Sequence, residues 1–363
     1  MTRDRTRLLR ELANYADHAV REARGQGPVR PAAAEVARAR GWLARPVFIC
    51  GHHRSGTTLL HELLDGHPEL MVLPNEATYF DSFDYVTGPR PGHAQLDRFC
   101  AEWIARLIDP NFPPHFRLGR SSADAAPYVE FARRLFGWHE ALRVDSGPPV
   151  APLLALAAAC RDSLPDRVEP RQWVEKTPLN ERHARVLARI PGARFIQLVR
   201  EPRAVFASLR ALHSRDARLR FEPAAMAHAL GDSLRRAQAY PRKFAGRYLV
   251  MKYEDLASQP AREMERVRQF LGLAAHAGLL VPTVGGAPVR ANSAFEAGAP
   301  GVVRPASAPP RLSESDERLL RAFAGRPARD LGYALHEASW RDFFNAWRHR
   351  ILPPSAGNSS IGP

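Results

Sequence analysis

The sequence predicts an α/β fold: a central parallel sheet flanked by helices, with a helical insertion. Three observations predict it. Short unbroken apolar runs recur along the 363 residues, as strands buried on both faces require. Apolar residues at helical spacing follow these runs, which supplies the crossover that parallel neighbours need. A separate stretch between two of these units reads as helix throughout.

Residues 1–44 read as an Arg/Ala-rich N-terminal helical arm. Leu8, Leu9, Leu12 and Ala13 form one stripe, and Gly25-Gln26-Gly27-Pro28 breaks it. The main domain spans 45–352. Val47-Phe48-Ile49-Cys50 is its first strand, followed by a turn from Gly51 to Gly56. A helix carrying Leu59, Leu60, Leu63 and Leu64 then ends near Gly66-His67-Pro68. Residues 96–164, with FCAEWIARLI, VEFARRLFGWHEAL and PLLALAAACRDSL, form the helical insertion, expected over the substrate side. Gln172-Trp173-Val174-Glu175 is a strand, followed by a helix from about Leu179 to Ile190. Phe195-Ile196-Gln197-Leu198-Val199 is the next strand, and Pro202 opens a helix to about Leu212. Tyr248-Leu249-Val250-Met251 is another strand, and Gly272 stops a helix near Arg262–Leu271. Residues 282–311, rich in Pro, Gly, Ala and Ser, read as a long loop or lid. Leu312–Phe323 and Trp340–Trp347 read as helices, and 353–363 as a disordered tail.

Lys and Arg total 52 against 38 Asp and Glu, a formal charge of +14, and only Lys176, Lys243 and Lys252 are lysines. Hydrophobic residues at 45% and charged residues at 25% exclude a collagen-like or wholly disordered chain. The charge admits nucleic acid, an anionic membrane or a small anion as partner. Basic residues are spread along the chain and mixed with acids, as in RDRTRLLRELAN and REMERVRQF, so general arginine use accounts for most of the excess. Cys50, Cys100 and Cys160 stand far apart without a CxxC pair, which argues for free buried thiols and against structural zinc. The charged N-terminus is not a signal peptide, and no apolar run has membrane-spanning length. A cytoplasmic, soluble protein is expected.

The turn Gly51-His52-His53-Arg54-Ser55-Gly56-Thr57-Thr58 joins a buried strand to a helix. There, backbone N–H groups and a helix N-terminus converge on an anion. The glycines fit the P-loop pattern GxxxxGK[ST], which makes the fold P-loop-like, but Thr57 occupies the lysine position. The cation stands three residues earlier, at Arg54. A phosphate-like group is therefore expected, without a standard ATP site.

FICGHHRSGTTLL resembles the 5′-phosphosulfate loop of sulfotransferases that use 3′-phosphoadenylyl sulfate (PAPS). Arg at the loop cation is the form found in tyrosylprotein sulfotransferases and many bacterial members. Leu198-Val199-Arg200-Glu201-Pro202 and the residues to Ser208 resemble that family's 3′-phosphate motif, in which an Arg and a Ser eight residues later bind the phosphate. Trp173-Val174-Glu175-Lys176-Thr177-Pro178 resembles the family's KTP segment. Lys252-Tyr253-Glu254-Asp255 resembles its Tyr-Glu-Asp segment, whose Tyr lies near adenine. Arg290-Ala291-Asn292-Ser293 resembles a late Asn-Ser segment at the nucleotide. Gly298 to Arg304 resembles the GxxGxxK loop of cytosolic members, with plain linker as the competing reading. The resemblance covers roughly 46–272.

It implies a PAPS-dependent enzyme that sulfates an acceptor hydroxyl or amine and releases 3′-phosphoadenosine 5′-phosphate (PAP), with no metal. Charge in such a transfer spreads over the equatorial and leaving oxygens, so fixed cations and positioning dominate. Arg54 is expected at the bridging oxygen and Lys176 at the sulfuryl group. Ser55, Gly56, Thr57 and Thr58 are expected at the 5′-phosphate, Arg200 and Ser208 at the 3′-phosphate, and Tyr253 and Ser293 elsewhere on the nucleotide. The scarcity of lysine adds weight to Lys176, because a compact ammonium does what a guanidinium does not. For the general base, Glu76 competes with His52 and His53. Tyr79, Phe80, Phe83, Tyr85, Trp103 and Trp138 are candidates for the acceptor pocket or for plain core. Two other readings stand beside this one: a P-loop kinase-like transferase, and a basic nucleic-acid-binding protein on a degenerate fold. The acceptor and the oligomeric state are left open.

Overall fold

The computed structural model describes residues 3–80, 95–109, 126–146, 150–163, 169–215, 221–290 and 299–335. In chain order these form α1 (Arg3–Gln26), α2 (Ala33–Leu43), β1 (Pro46–Cys50), α3 (Thr57–Asp65) and β2 (Leu70–Val72). Then come α4 (Gln95–Ile108), α5 (Ala126–Ser146), α6 (Ala151–Ser163), β3 (Gln172–Lys176), α7 (Ala184–Leu187), β4 (Arg194–Val199), α8 (Pro202–Arg215) and α9 (Pro223–Lys243). The remainder is β5 (Tyr248–Lys252), α10 (Tyr253–Ser258), α11 (Pro260–Leu271), β6 (Thr283–Val284), β7 (Ala287–Pro288) and α12 (Glu314–Asp330).

Five strands pair in the order β2-β3-β1-β4-β5, all parallel. The central strands β1 and β4 are short, mostly apolar runs because both of their faces are covered. Val47, Ile49, Val174, Ile196, Leu198 and Met251 point to one side and pack with α3 and α11. Phe48, Cys50, Trp173, Phe195 and Tyr248 point to the other, among residues of α1, α2 and the helices of the insertion. On that side the aromatic rings form a row. Phe195 stacks on Phe48 and on Tyr248, each at 5.5 Å, and Trp173 meets Phe48 edge-on at 5.8 Å. A third cluster joins α8, α9 and α12.

The segments expected as insertion helices are α4, α5 and α6. The first helix, α1, lies against α4 and α5, where Arg24 meets Asp97 at 2.5 Å and stacks on Phe136 at 3.6 Å. The structure departs from expectation in four places. Leu70–Val72 pairs with β3 as an edge strand, too short for periodicity to reveal. Pro223–Lys243 is a helix that the sequence reading did not single out, because much of its buried face is small: Ala227, Gly231, Ser233 and Ala237. The helix expected over 179–190 is a 3-10 turn at Asn180–His183 and the single turn α7, since Leu179 takes a left-handed φ of 68°. The 282–311 segment begins with the small hairpin β6–β7, whose Gly286 N and Thr283 hydroxyl donate to Asp65 at 2.9 and 2.8 Å.

The three cysteines are free and buried. Among the described residues no helix is long and apolar enough to cross a membrane. Residues 340–347, 353–363, Phe83, Tyr85 and Ser293 lie outside the described residues.

Phe195 sits at the centre of the aromatic row with no exposed surface. Phe195→Ala is expected to cost about 3–5 kcal/mol, and Phe195→Leu clearly less, because leucine refills most of the volume. Denaturant midpoints of the two variants against the parent check this.

Candidate functional site

Four strand ends meet at the carboxyl edge of the sheet. The 51–56 loop leaves β1, Lys176 ends β3, Arg200 follows β4 and Tyr253 follows β5. From β1 the chain fills one side of the sheet with β2 and β3, then crosses to the other with β4 and β5. The crevice at such a switch point is where parallel sheets bind ligands.

The loop is shaped by close contact. Gly51 has φ 128°, and a Cβ there would meet the Leu198 carbonyl oxygen at 2.2 Å. Its N–H donates to Glu181 Oε2 at 2.9 Å, and its carbonyl accepts from Leu179 N at 2.9 Å. Ser55 N closes the turn onto the His52 carbonyl at 3.1 Å. Gly56, at φ 91°, caps α3 and faces the Tyr253 ring, which a Cβ would strike at 2.2 Å. Arg54 holds φ 69°, a left-handed conformation that costs a non-glycine residue about 1 kcal/mol or more.

That conformation turns Arg54 toward the next strand end. Arg54 Nε donates to Ser208 Oγ at 2.9 Å, and Arg200 Nη1 donates to the Arg54 carbonyl at 3.0 Å. The Arg200 guanidinium lies 4.3 Å over the Tyr253 ring. Burial, and then the charge of Arg200, push the Arg54 guanidinium below its ordinary value. Two neighbouring guanidinium groups gain from an anion between them.

Lys176 is buried beside the same loop. Its Nζ lies 2.5 Å from Glu76 Oε1 and 3.4 Å from Thr58 Oγ1. Burial pushes the Glu76 carboxyl up, but the Lys176 charge and hydrogen bond outweigh it and hold the acid below its usual value. Arg106 of α4 pins the Glu76 carbonyl at 3.1 Å. Of the competing histidines, His52 is buried and burial pushes it down to about 3, so it does not take up a proton at neutral pH. His53 is exposed and, when protonated, adds to the cations that lower Glu76.

The structure thus brings together Arg54, Ser55, Gly56, Thr57, Thr58, Lys176, Glu76, Arg200, Ser208 and Tyr253. Ser293 lies outside the described residues. Two buried acids that sequence reasoning missed connect to this edge. Glu175 accepts from Ala77 N at 3.1 Å, from Asn180 Nδ2 at 2.6 Å and from the Thr177 hydroxyl, and burial pushes it up to about 7. Glu181 holds Gly51 N and accepts from Ser233 Oγ at 2.5 Å, and burial raises it too. A carboxylate inside the apolar strand QWVEK was the available signal. A third acid, Glu254, accepts from Glu201 N at 2.9 Å and from the Tyr333 hydroxyl at 3.1 Å, which braces the Arg200 turn. Glu201 caps α8 through Ala204 N at 2.8 Å.

The Sulfotransferase family profile, Sulfotransfer_3, matches residues 46–277, well over half of the chain. The chain belongs to the sulfotransferase family. Two curated relatives are the omega-hydroxy-beta-dihydromenaquinone-9 sulfotransferases Stf3 of Mycobacterium bovis and Mycobacterium tuberculosis, each 26% identical over 253 residues. The alignment covers 63% of this chain and 63% of each relative, so the chain spans less than two thirds of their length. Among solved structures, the sulfotransferase domain of the Synechococcus PCC 7002 olefin synthase is 25% identical with a TM-score of 0.40. It covers 66% of this chain and 77% of that one. A sulfotransferase from Alicyclobacillus acidocaldarius is 16% identical with a TM-score of 0.43, covering 82% and 99%. Superpositions this loose add nothing to the fold described above.

In this sulfotransferase-family chain the matched span holds every described candidate from His52 to Tyr253. Tyr333, which braces the Arg200 turn through Glu254, lies beyond it. One buried acid at the site has no structural partner for one oxygen. Glu62 on α3 leaves Oε2 without a hydrogen bond among the described residues, and burial pushes it up to about 7 against the opposing charge of Lys176. The native state therefore holds a proton that the unfolded chain gives up at the ordinary carboxylate value. The Glu62 contribution to stability falls as pH rises from about 4.5 toward 7, while His52 and His61, which burial pushes down to about 3 and about 4, contribute a rise over the same range. Glu62→Gln is expected to flatten that fall and to raise the melting temperature at pH values above it. Glu175 contributes in the same direction as Glu62 and the buried histidines in the opposite one, so the readout is the difference between variant and parent. Melting curves across this range check the difference.

Proposed function

We propose that this chain transfers the sulfuryl group of PAPS to an acceptor hydroxyl or amine and releases PAP. The observation that carries the reading is the pairing of two cation sites along one sheet edge. Arg54 and Arg200 stand at neighbouring strand ends beside Ser208 and Tyr253, and Lys176 stands on the other side of the loop beside Glu76. A nucleotide with phosphates at both ends and a sulfuryl group on one of them matches that layout.

In this reading the backbone of Ser55 and Gly56 and the hydroxyls of Thr57 and Thr58 receive the 5′-phosphate. Arg200 and Ser208 receive the 3′-phosphate through a donor fork and a hydroxyl. Tyr253 lies along the base, with Ser293 as a further nucleotide contact. Glu76 takes the proton of the acceptor hydroxyl as its oxygen bonds to sulfur. The bond between sulfur and the bridging oxygen breaks, and its electron pair leaves with the phosphate. Arg54 stabilises that leaving oxygen, and Lys176 the sulfuryl oxygens. The reading requires no metal, since these cations supply the charge. A cytoplasmic setting belongs to the same reading. The mycobacterial relatives are named for an omega-hydroxy acceptor, which supports a hydroxyl over an amine.

PAP is expected to raise the melting temperature more than AMP or ATP does, since only PAP fills both phosphate sites. Arg54→Ala and Arg200→Ala should each shrink that rise. A folded protein with no response to PAP, or with magnesium-dependent ATP turnover instead, overturns the reading.

Glu76→Gln should keep the PAP response and lower kcat by about 10²–10⁴, the usual range for a lost general base. Labelled-sulfate transfer over a panel of hydroxyl compounds measures it. An unchanged kcat moves the base to His53.

A further inference from the structure

A cavity of about 490 Å³ opens among Tyr79, Gln95, Leu96, His139, Arg143 and Pro152. Its size suits one small organic molecule. Tyr79 and Leu96 offer it apolar surface, and α4, α5 and α6 each contribute a wall. Tyr79 links it to the site. It stands three residues after Glu76, and that stretch is pinned on the way: Ala77 N donates to Glu175 and Thr78 N to Thr177 Oγ1, each at 3.1 Å. The Tyr79 ring is then fixed edge-on against Phe99 at 5.1 Å. Three residues of chain span at most about 10 Å. Glu76 and the cavity wall at Tyr79 therefore lie within about 10 Å of each other along the backbone.

The charges around the cavity are one-sided. Arg133 and Arg134 on α5 both pair with Glu130, whereas Arg143 on the same helix has no ion pair among the described residues. Two described acids on the same helices are paired elsewhere: Asp97 to Arg24 at 2.5 Å and Glu140 to Arg30 at 2.9 Å. His139 and Gln95 add donors that carry no negative charge. Burial, and then the charges of Arg143 and Arg24, keep the His139 imidazole below its ordinary value against the opposing charge of Glu140. Among the described residues the cavity thus has an apolar body with a guanidinium on its wall that no carboxylate pairs.

We propose that the acceptor is an apolar hydroxyl compound that carries an acidic group, with its carboxylate on Arg143 and its hydroxyl at Glu76. This rests on the sulfotransfer reading and names its substrate class. A carboxylate matches the guanidinium fork, and the apolar body of the molecule fills the space between its two polar ends.

The test compares ω-hydroxylaurate with its methyl ester as acceptors of labelled sulfate, after PAP binding has been measured on the same protein. The acid is expected to have a KM about tenfold below the ester, the size of one charge-assisted hydrogen bond. Arg143→Ala should remove that advantage and Arg143→Lys should restore part of it. Arg143 is exposed, so these variants should keep the parent's melting temperature. Equal KM values for acid and ester overturn the proposal. So does an advantage that survives Arg143→Ala, or transfer to neither compound by a protein that binds PAP. That last outcome leaves the donor reading standing, whereas a missing PAP response removes the donor reading itself.

Discussion

Gly51 runs so close to β4 that a single added carbon would sit 2.2 Å from the Leu198 oxygen. The rest of the site depends on that contact. It lets the loop leave β1 across the sheet edge instead of rising away from it. His52 to Gly56 then lie between the end of β3 on one side and the end of β4 on the other. Gly56 repeats the constraint against Tyr253, the first residue after β5. Two positions without side chains thus draw four strand ends into one crevice. The left-handed Arg54 between them spends strain to aim its guanidinium along that crevice.

Beneath this edge the sheet carries polar groups that an apolar core would not need. Glu181 holds the Gly51 N–H, and Ser233 ties Glu181 to Gln197. Glu175 holds the start of the Glu76–Tyr79 segment and the turn after β3. Burial raises both acids, so each is costly to keep there. Their hydrogen bonds fix backbone that carries candidate residues, which is how a rigid sheet transmits its precision to loops. Glu254 acts likewise from the far side, tying the Arg200 turn to Tyr333.

The sheet was legible because its central strands are apolar runs buried on both faces, a pattern that Val47–Cys50 and Phe195–Val199 show plainly. The loop was legible because strand, glycine spacing and helix stand together in sequence. What escaped has physical reasons. β2 is three residues long, and α9 buries small residues, so neither shows a strong period. The helix after β3 was overestimated because its start is dictated by Leu179 N bonding to the Gly51 carbonyl, a contact across the fold. The Glu175 and Glu181 supports escaped for the same reason: their partners, Ala77 and Gly51, are distant in the chain. The ion pair of Glu76 and Lys176 joins residues a hundred positions apart, and only the sheet brings them together.

That pair also bears on how such a site rests without its ligand. Lys176 is buried, and a buried ammonium without a counter-charge is strongly disfavoured. Glu76 supplies the charge, at 2.5 Å, while Ser208 gives Arg54 an oxygen. On the proposed reading both partners are placeholders. An incoming sulfuryl group would draw Lys176 toward itself and leave the Glu76 carboxylate with less of the stabilisation that now holds its proton affinity down. A carboxylate losing its cation becomes a stronger base. Donor binding would therefore prepare the base at the moment the acceptor needs it, and the same exchange would keep Glu76 a weak base until a sulfuryl group is present.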